Sequence, residues 1–195
     1  MTTEEQIQAA FQWRTRNLPW YPRRGKRKQL AELFGTLEFR EGVEVGTKDG
    51  LFAVEMCKAN PHVHLTCVDP WSNYLNSSRS TQRRHDEHYA RAVANLAGLN
   101  VTIMREMSVK AAPKFRAGRL DFVYIDGNHE FDYVIADILA WVPKVRSGGI
   151  VALHDYHHQV GCDVICAVDA YTRSHHIDPW YVTREELPTA FWVQR

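Results

Sequence analysis

Short apolar runs alternate with segments of helical periodicity along most of the chain. The clearest helix is predicted where apolar side chains recur at spacings of three and four, at Phe131, Val134, Ile135, Ile138, Leu139 and Val142. Strands are predicted for five short apolar runs: the run after Glu41 and residues 65–68, 101–104, 120–126 and 150–153. Other helices are predicted over residues 3–14, 29–34, 51–56, 84–96, 108–115 and 163–172, and two final strands over 180–183 and 190–193.

This alternation predicts an α/β fold, with a doubly wound, mostly parallel sheet of seven strands and helices on both faces, in three layers. Five strands should be parallel, and a C-terminal hairpin should lie at one edge. The length of 195 residues suits one domain, with residues 1–39 as a helical cap at the substrate and residues 40–195 as the α/β core. Ligands bind at the carboxyl ends of such strands, which places these residues along one rim: Gly46, Asp69, Ser108, Asp126 and Asp155.

A glycine-containing loop follows the first predicted strand of the core. Gly46 and Gly50 bracket a tight turn before a helix, and Asp69 ends the next strand about twenty residues later. Such a unit is typical of proteins that bind nucleotide-like ligands. The glycines let the backbone approach the ligand, and the helix N-terminus offers it free N–H groups. The acid binds the ribose. Lys48 stands where a dinucleotide fingerprint has its second glycine, so the spacing argues against a dinucleotide.

Acids and histidines follow two other predicted strands. The first group is Asp126-Gly127-Asn128-His129, and the second is His154-Asp155-Tyr156-His157-His158. An acid at the end of a buried strand is costly unless a cation, a donor or a ligand compensates it, so two of them on one rim predict a site. The alternative is that Asp126 and Asp155 each cap a following helix.

Composition narrows the range of partners. Lys and Arg number 24 against 23 Asp and Glu, and a net charge of +1 gives no general attraction to nucleic acid or anionic membranes. No run is long and apolar enough to span a membrane, and the polar N-terminus does not resemble a secretory signal. The four cysteines lack the clustered pairs of a structural zinc site, so we expect reduced thiols in a cytoplasm.

The combined motifs resemble methyltransferase family 24, a branch of the class I S-adenosylmethionine-dependent methyltransferases that includes small-molecule O-methyltransferases. The matching residues are Glu44–Gly50, Asp69-Pro70-Trp71, Tyr124–His129, Asp137, Gly148-Gly149 and His154-Asp155-Tyr156. The resemblance implies a Rossmann-like core and methyl transfer from S-adenosylmethionine to a hydroxyl oxygen of a small molecule. It places the following residues at the cofactor: Glu44, Gly46, Thr47, Lys48, Gly50, Asp69, Pro70, Trp71, Met107, Ser108 and Asp126.

The resemblance also implies a catalytic group made of Asp126, His129, His154 and Asp155. In several relatives a divalent metal is held by the acid at the Asp126 position and by two adjacent acids after the fifth strand, where this chain has His154-Asp155. The expected metal ligands are therefore Asp126, His154 and Asp155, and imidazole favours a transition metal over magnesium. Without metal, the general base would be His129 or His154, because an imidazole titrates near neutral pH.

Several alternatives stay open. The basic run Arg23–Lys28 supports a nucleic-acid-binding or nucleic-acid-modifying protein, although the run is short and the Asp126–His129 segment stands where base N-methyltransferases carry their Asn/Asp-Pro-Pro-Tyr motif. A cofactor-binding protein without catalysis is a third hypothesis. Residues 71–81 are a polar loop long enough to be a lid. Solvated or interfacial histidines are expected at His85, His88, His157 and His158, and a less favoured zinc site would use His154, His157, His158, Cys162 and Cys166.

Overall fold

A computed structural model of the chain describes residues 1–13, 18–74, 81–158 and 163–195. The helices are α1 (Thr3–Ala10), α2 (Arg27–Thr36), α3 (Leu51–Ala59), α4 (Gln82–Leu96), α5 (Ser108–Ala111), α6 (Phe131–Trp141) and α7 (Val164–Ser174). The strands are β1 (Gln12–Trp13), β2 (Pro22–Arg24), β3 (Glu41–Val45), β4 (His64–Asp69), β5 (Val101–Arg105), β6 (Leu120–Ile125), β7 (Val145–Leu153), β8 (Trp180–Val182) and β9 (Ala190–Val193). Short 3₁₀ turns follow α5 and α6, at Ala112–Lys114 and Val142–Lys144.

The main sheet has seven strands in the order β5-β4-β3-β6-β7-β9-β8. The strands from β3 to β7 pair in parallel, whereas β9 runs antiparallel to both β7 and β8. The predicted fold class is confirmed, including the C-terminal hairpin at one edge. The carboxyl ends of five parallel strands therefore share one rim of the sheet.

Two apolar layers cover the two faces of this sheet. Because side chains alternate along a strand, Phe122 and Tyr124 of β6 lie in one layer while Val123 and Ile125 lie in the other. Helices α1 to α4 pack on the Phe122 face, and α5 to α7 pack on the opposite face. This arrangement is the doubly wound architecture that the sequence predicts.

The first helix is shorter than predicted. It ends at Ala10, and Phe11 has extended backbone angles, with φ −113° and ψ 140°. Gln12–Trp13 then pairs antiparallel with Pro22–Arg24 to form a separate two-stranded sheet. The prediction that the helix continues through residue 13 is therefore wrong, because strand pairing with a later segment overrides local periodicity. Residue 14, the last of the predicted helix, lies outside the described ranges.

None of the helices within the described ranges combines the length and the apolar character that a membrane crossing requires.

Candidate active site

The carboxyl ends of the parallel strands open into one cleft of about 890 Å³. The predicted site residues that line it are Glu44, Gly46, Thr47, Lys48, Asp69, Pro70, Trp71, Met107, Ser108, Asp126, His129, His154 and Asp155. Gly50 does not line the cleft, because it is buried at the N-cap of α3. The cleft is also lined by residues that the sequence analysis did not assign to the site, among them Arg27, Phe52, Tyr74, Tyr133 and Asp137.

The loop after β3 is held in place by contacts within the protein. Gly46 has a φ of 88°, and a Cβ there would lie 2.0 Å from the carbonyl oxygen of Asp126. A Cβ on Gly50, at φ 74°, would lie 3.1 Å from Leu96. A side chain at either residue would therefore meet the protein itself, which accounts for glycine at both positions.

Asp69 ends β4 with its carboxylate oriented by backbone donors. Its Oδ2 accepts a hydrogen bond from the Lys48 N–H at 2.9 Å, and its Oδ1 accepts one from the Trp71 N–H at 2.7 Å. Burial raises the pKa of Asp69 more than these two bonds lower it. The indole of Trp71 is itself buried and donates to the Lys48 carbonyl at 2.8 Å, so Trp71 ties the ends of β3 and β4 together.

Glu44 is a fully buried acid on β3. Burial is the main cause that raises the pKa of its carboxyl to about 8 from the ordinary 4.5, so the group holds its proton at neutral pH. Glu44 Oε2 and Thr47 Oγ1 are both buried and have no hydrogen-bond partner within 3.5 Å among the described residues, although the Thr47 hydroxyl lies near enough to oppose the rise in the Glu44 pKa. Buried polar atoms are nearly always paired, so these two oxygens mark a place for a ligand that donates hydrogen bonds.

A second buried acid, Asp137, lines the cleft beside Ser108. Ser108 Oγ accepts a hydrogen bond from Trp141 Nε1 at 2.7 Å, and Asp137 lies beside the same hydroxyl. Burial raises the pKa of Asp137 to about 6, and the Ser108 contact partly opposes that shift. Met107 is the N-cap of α5 and brings its side chain to the cleft next to Ser108.

Two acids and two histidines meet where β6 and β7 end. His129 Nε2 lies 3.0 Å from Asp155 Oδ2 and 3.6 Å from Asp126 Oδ1. His154 Nδ1 lies 3.2 Å from Asp155 Oδ1 and 3.6 Å from Asp126 Oδ1. Asp155 adopts a φ of 60°, which is rare for a residue with a side chain and is typical of functional sites.

Charge compensation shifts every pKa in this cluster. Burial alone would raise the pKa of both acids, but contacts with the imidazoles outweigh it and hold the pKa of Asp126 and Asp155 below the ordinary value. Burial would lower the pKa of His154, and the two carboxylates instead raise it to about 9. The contact with Asp126 is the main cause that raises the pKa of His129.

Neither acid caps a helix, which was the alternative interpretation. The N-cap of α6 is Glu130 and the N-cap of α7 is Asp163, so each helix begins several residues after the acid that precedes it. Asp126 and Asp155 are thus available for chemistry in the cleft.

Arg27 completes this cluster from the N-terminal part of the chain. Its Nη1 lies 3.1 Å from His154 Nε2, and its guanidinium carbon lies 4.8 Å from the centre of the Phe52 ring. Arg27 belongs to the basic run that supported the nucleic-acid alternative, and its side chain lines the cleft.

The carboxylates and the imidazole of this cluster are groups that bind divalent cations. Asp126, His154 and Asp155 each offer a ligand atom within 4.8 Å of the other two, and they are the one such group found among the described residues. His154 Nδ1 is buried and faces the carboxylates of Asp155 and Asp126 at 3.2 and 3.6 Å, so the three ligand atoms converge on one point. Two carboxylates and one imidazole suit manganese, iron or zinc better than magnesium.

The less favoured zinc site receives no support from the described residues. Cys162 lies outside them, Cys166 is exposed on α7, and His158 is exposed. His157 belongs to the acid–imidazole cluster instead, since its Nε2 is 3.6 Å from Asp155 Oδ1. His88 pairs with Asp49 at 2.7 Å beside the glycine loop, so it is not simply solvated.

The chain is similar to known proteins in sequence and in fold. The family model described as "Methyltransferase domain" (Methyltransf_24) matches residues 43–156, more than half of the chain. No curated protein matches the sequence.

Solved structures with the same fold include three at 16–19% sequence identity. A Corynebacterium glutamicum protein has 17% identity and a TM-score of 0.59, over 98% of this chain and 86% of that one. The cofactor-bound protein Rv0187 from MTB has 19% identity and a TM-score of 0.62, over 86% and 78% of the two chains. The O-methyltransferase TomG from Streptomyces achromogenes, solved in complex with SAM, has 16% identity and a TM-score of 0.59, over 87% and 80%.

Proposed function

Because the chain belongs to methyltransferase family 24, a branch of the class I S-adenosylmethionine-dependent methyltransferases, we propose that it methylates a hydroxyl oxygen of a small molecule. One observation carries the proposal. The glycine loop and Asp69 share a single cleft with the cluster of Asp126, His129 and Asp155, so a cofactor and a proton acceptor can act on the same substrate. The relative TomG, an O-methyltransferase solved with SAM, supports the choice of oxygen as the acceptor atom.

The cofactor would lie across the ends of β3, β4 and β5. The backbone-oriented carboxylate of Asp69 suits the two ribose hydroxyls, and Met107 and Ser108 suit the adenine edge. Glu44 Oε2 and Thr47 Oγ1, which lack partners within the described part of the chain, suit the ammonium group of the methionine part. Binding this cation would favour the ionised form of Glu44.

Methyl transfer is an in-line displacement at the sulfonium. The acceptor oxygen forms a bond to the methyl carbon, the carbon–sulfur bond breaks, and its electron pair returns to sulfur, which leaves S-adenosylhomocysteine. Holding the two reactants in line supplies much of the rate. The hydroxyl proton must also be removed, and that step needs a base near neutral pH.

We assign the base to His129 and a positioning role to His154. The His129 side chain is 38% exposed at the cleft, and Asp155 holds its Nε2 at 3.0 Å, which leaves Nδ1 to take the proton. His154 is only 6% exposed and lies between Arg27 and the two carboxylates. A divalent metal held by Asp126, His154 and Asp155 would lower the pKa of the hydroxyl directly.

The decisive experiment measures cofactor binding and turnover separately. S-adenosylmethionine or S-adenosylhomocysteine should raise the melting temperature by linkage, whereas NAD should not. A panel of hydroxylated small molecules incubated with S-adenosylmethionine should yield a product that is heavier by one methylene, detected by mass spectrometry. Tight NAD binding without binding of the sulfonium compound would refute the proposal. Stabilisation by cofactor with no product from any acceptor would favour a cofactor-binding protein without catalysis.

A further inference from the structure

Building on the proposed methyltransferase function, we propose that Arg27 binds a carboxylate of a ligand in the cleft. The carboxylate belongs either to the acceptor or to the methionine part of the cofactor. Arg27 would thereby select anionic ligands, a role that neither the family match nor the glycine loop gives it.

The backbone of Arg27 is anchored by the C-terminal hairpin. Arg27 is the first residue of α2, and its N–H donates to Glu185 Oε1 at 2.6 Å. The same oxygen accepts a hydrogen bond from Thr183 Oγ1 at 2.9 Å. The start of α2 is thus fixed by the loop between β8 and β9. This contact holds the Cα of Arg27, and with it the base of the side chain, in place.

The guanidinium is held between two walls of the cleft. Its carbon lies 4.8 Å from the Phe52 ring centre, within the range of a cation–π contact, and Nη1 contacts His154 Nε2 at 3.1 Å. The buried hydroxyl of Tyr124 lies at the same group. Arg27 therefore does not extend freely into solvent.

No carboxylate pairs directly with the guanidinium of Arg27. Among the described residues, no carboxylate oxygen lies within the 4.0 Å ion-pair distance, and the contacts of the guanidinium are His154, Tyr124 and Phe52, while the charges of Asp126 and Glu185 act on it from farther away. A guanidinium carries five N–H donors in a planar fork, so donors remain for a ligand. A half-buried cation without a directly bonded counter-ion is costly, and an anionic ligand would reduce that cost.

A carboxylate fits this position better than a phosphate does. A planar carboxylate matches the guanidinium fork and brings a single negative charge. Asp126 and Asp155 lie on the far side of His154, and they would repel a dianionic phosphate more strongly than a monoanion. The Phe52 ring offers an apolar surface for the hydrocarbon part of the same ligand.

The first arm of the test asks whether the carboxylate is that of the cofactor. Titration calorimetry compares S-adenosylmethionine with decarboxylated S-adenosylmethionine, which lacks only this group. If the cofactor supplies the carboxylate, Arg27→Gln weakens binding of S-adenosylmethionine by about tenfold to hundredfold. The same variant leaves binding of decarboxylated S-adenosylmethionine unchanged. The affinity of Arg27→Lys for S-adenosylmethionine should lie between those of wild type and Arg27→Gln, because lysine keeps the positive charge and loses the planar guanidinium.

The second arm asks whether the carboxylate is that of the acceptor. Protein saturated with S-adenosylhomocysteine is screened by ligand-observed NMR against small hydroxy acids, each paired with its carboxamide. If the acceptor supplies the carboxylate, wild type binds acids in preference to their carboxamides and Arg27→Gln loses that preference. Arg23→Gln, an exposed arginine of the same basic run, is the matched control and should behave as wild type.

The proposal is overturned if Arg27→Gln binds S-adenosylmethionine like wild type and wild type shows no preference for acids over carboxamides. This outcome leaves the methyltransferase proposal intact, because wild type still binds the cofactor. Failure of wild type to bind S-adenosylmethionine would instead remove the proposed function. Melting curves of each variant show that losses of affinity do not come from unfolding.

Discussion

Arg27 Nη1 lies 3.1 Å from His154 Nε2, and this contact is a hydrogen bond in only one tautomer of a neutral His154. A guanidinium only donates hydrogen bonds, so Nε2 accepts in that tautomer and the hydrogen of His154 is on Nδ1. That nitrogen faces Asp155 Oδ1 at 3.2 Å. A metal bound through Nδ1 requires the opposite tautomer, with the hydrogen on Nε2, so metal binding and the Arg27 contact compete.

Removing the donor at position 27 should therefore favour metal binding. Arg27→Gln offers a carbonyl that accepts a hydrogen bond from Nε2–H, whereas Arg27→Lys can only donate. We expect Arg27→Gln to bind manganese or zinc about tenfold more tightly than Arg27→Lys, measured by equilibrium dialysis. Equal affinities in the two variants would show that the His154 tautomer does not control the metal site.

The type of metal should follow the ligand at position 154. The imidazole of His154 suits transition metals, so any metal dependence should favour manganese, iron or zinc, and His154→Asp should shift the preference towards magnesium. The measurement is activity after chelation and re-addition of each ion. Full activity of wild type in chelator would establish a metal-free mechanism, with His129 as the leading base.

The two acids of the cluster should be required for turnover and not for folding. Asp126→Asn and Asp155→Asn remove a charge without changing the size of the side chain. Turnover should fall by about a hundredfold or more, the scale of a lost acid–base or metal role. Melting curves serve as the folding control. Wild-type turnover in both variants would mean that the active site lies elsewhere.

Stability should depend on pH through Glu44. Its pKa is raised to about 8, so its contribution to stability is complete below the unfolded value of 4.5 and is lost as pH rises towards 8. Relative to Glu44→Gln, wild type should lose up to about 1.4 kcal/mol of unfolding free energy per pH unit in this window. Urea denaturation at several pH values measures it, with the exposed Glu55→Gln as control. Parallel pH curves for wild type and Glu44→Gln would contradict the expected protonation.

Gly46 should tolerate no side chain. A Cβ at this residue would lie 2.0 Å from the Asp126 carbonyl oxygen, so Gly46→Val should lower stability by more than about 3 kcal/mol and abolish cofactor-induced stabilisation. Gly98→Val is the matched control, because Gly98 has a similar φ of 80° and nothing lies within 4 Å of its Cβ position. The difference between the two variants in thermal melts isolates the steric contact from the backbone cost.

The sequence predicts the fold well because the relevant signals are local. The apolar repeat from Phe131 to Val142 and the alternation within β6 follow from helix and strand periods. Gly46, Asp69, Asp126 and Asp155 could be placed on one rim for a related reason, since the carboxyl ends of parallel strands share an edge.

Contacts between distant segments could not be predicted in this way. Arg27 and His154 are 127 positions apart, and a basic run ordinarily indicates a solvated surface, so nothing local marks Arg27 as part of the cleft. The early end of α1 likewise depends on the pairing of Gln12–Trp13 with Pro22–Arg24. A glycine motif likewise does not reveal that Leu96 fills the space beside Gly50.

The hairpin order has a consequence for truncated chains. The inner strand Ala190–Val193 follows the outer strand Trp180–Val182 in the sequence, yet it lies between that strand and Val145–Leu153. Without the inner strand, the backbone of residues 150–153 is an unpaired edge that invites pairing with other chains. A chain that stops within residues 183–189 would therefore be prone to aggregation, because the outer strand has no neighbour through which to join the sheet.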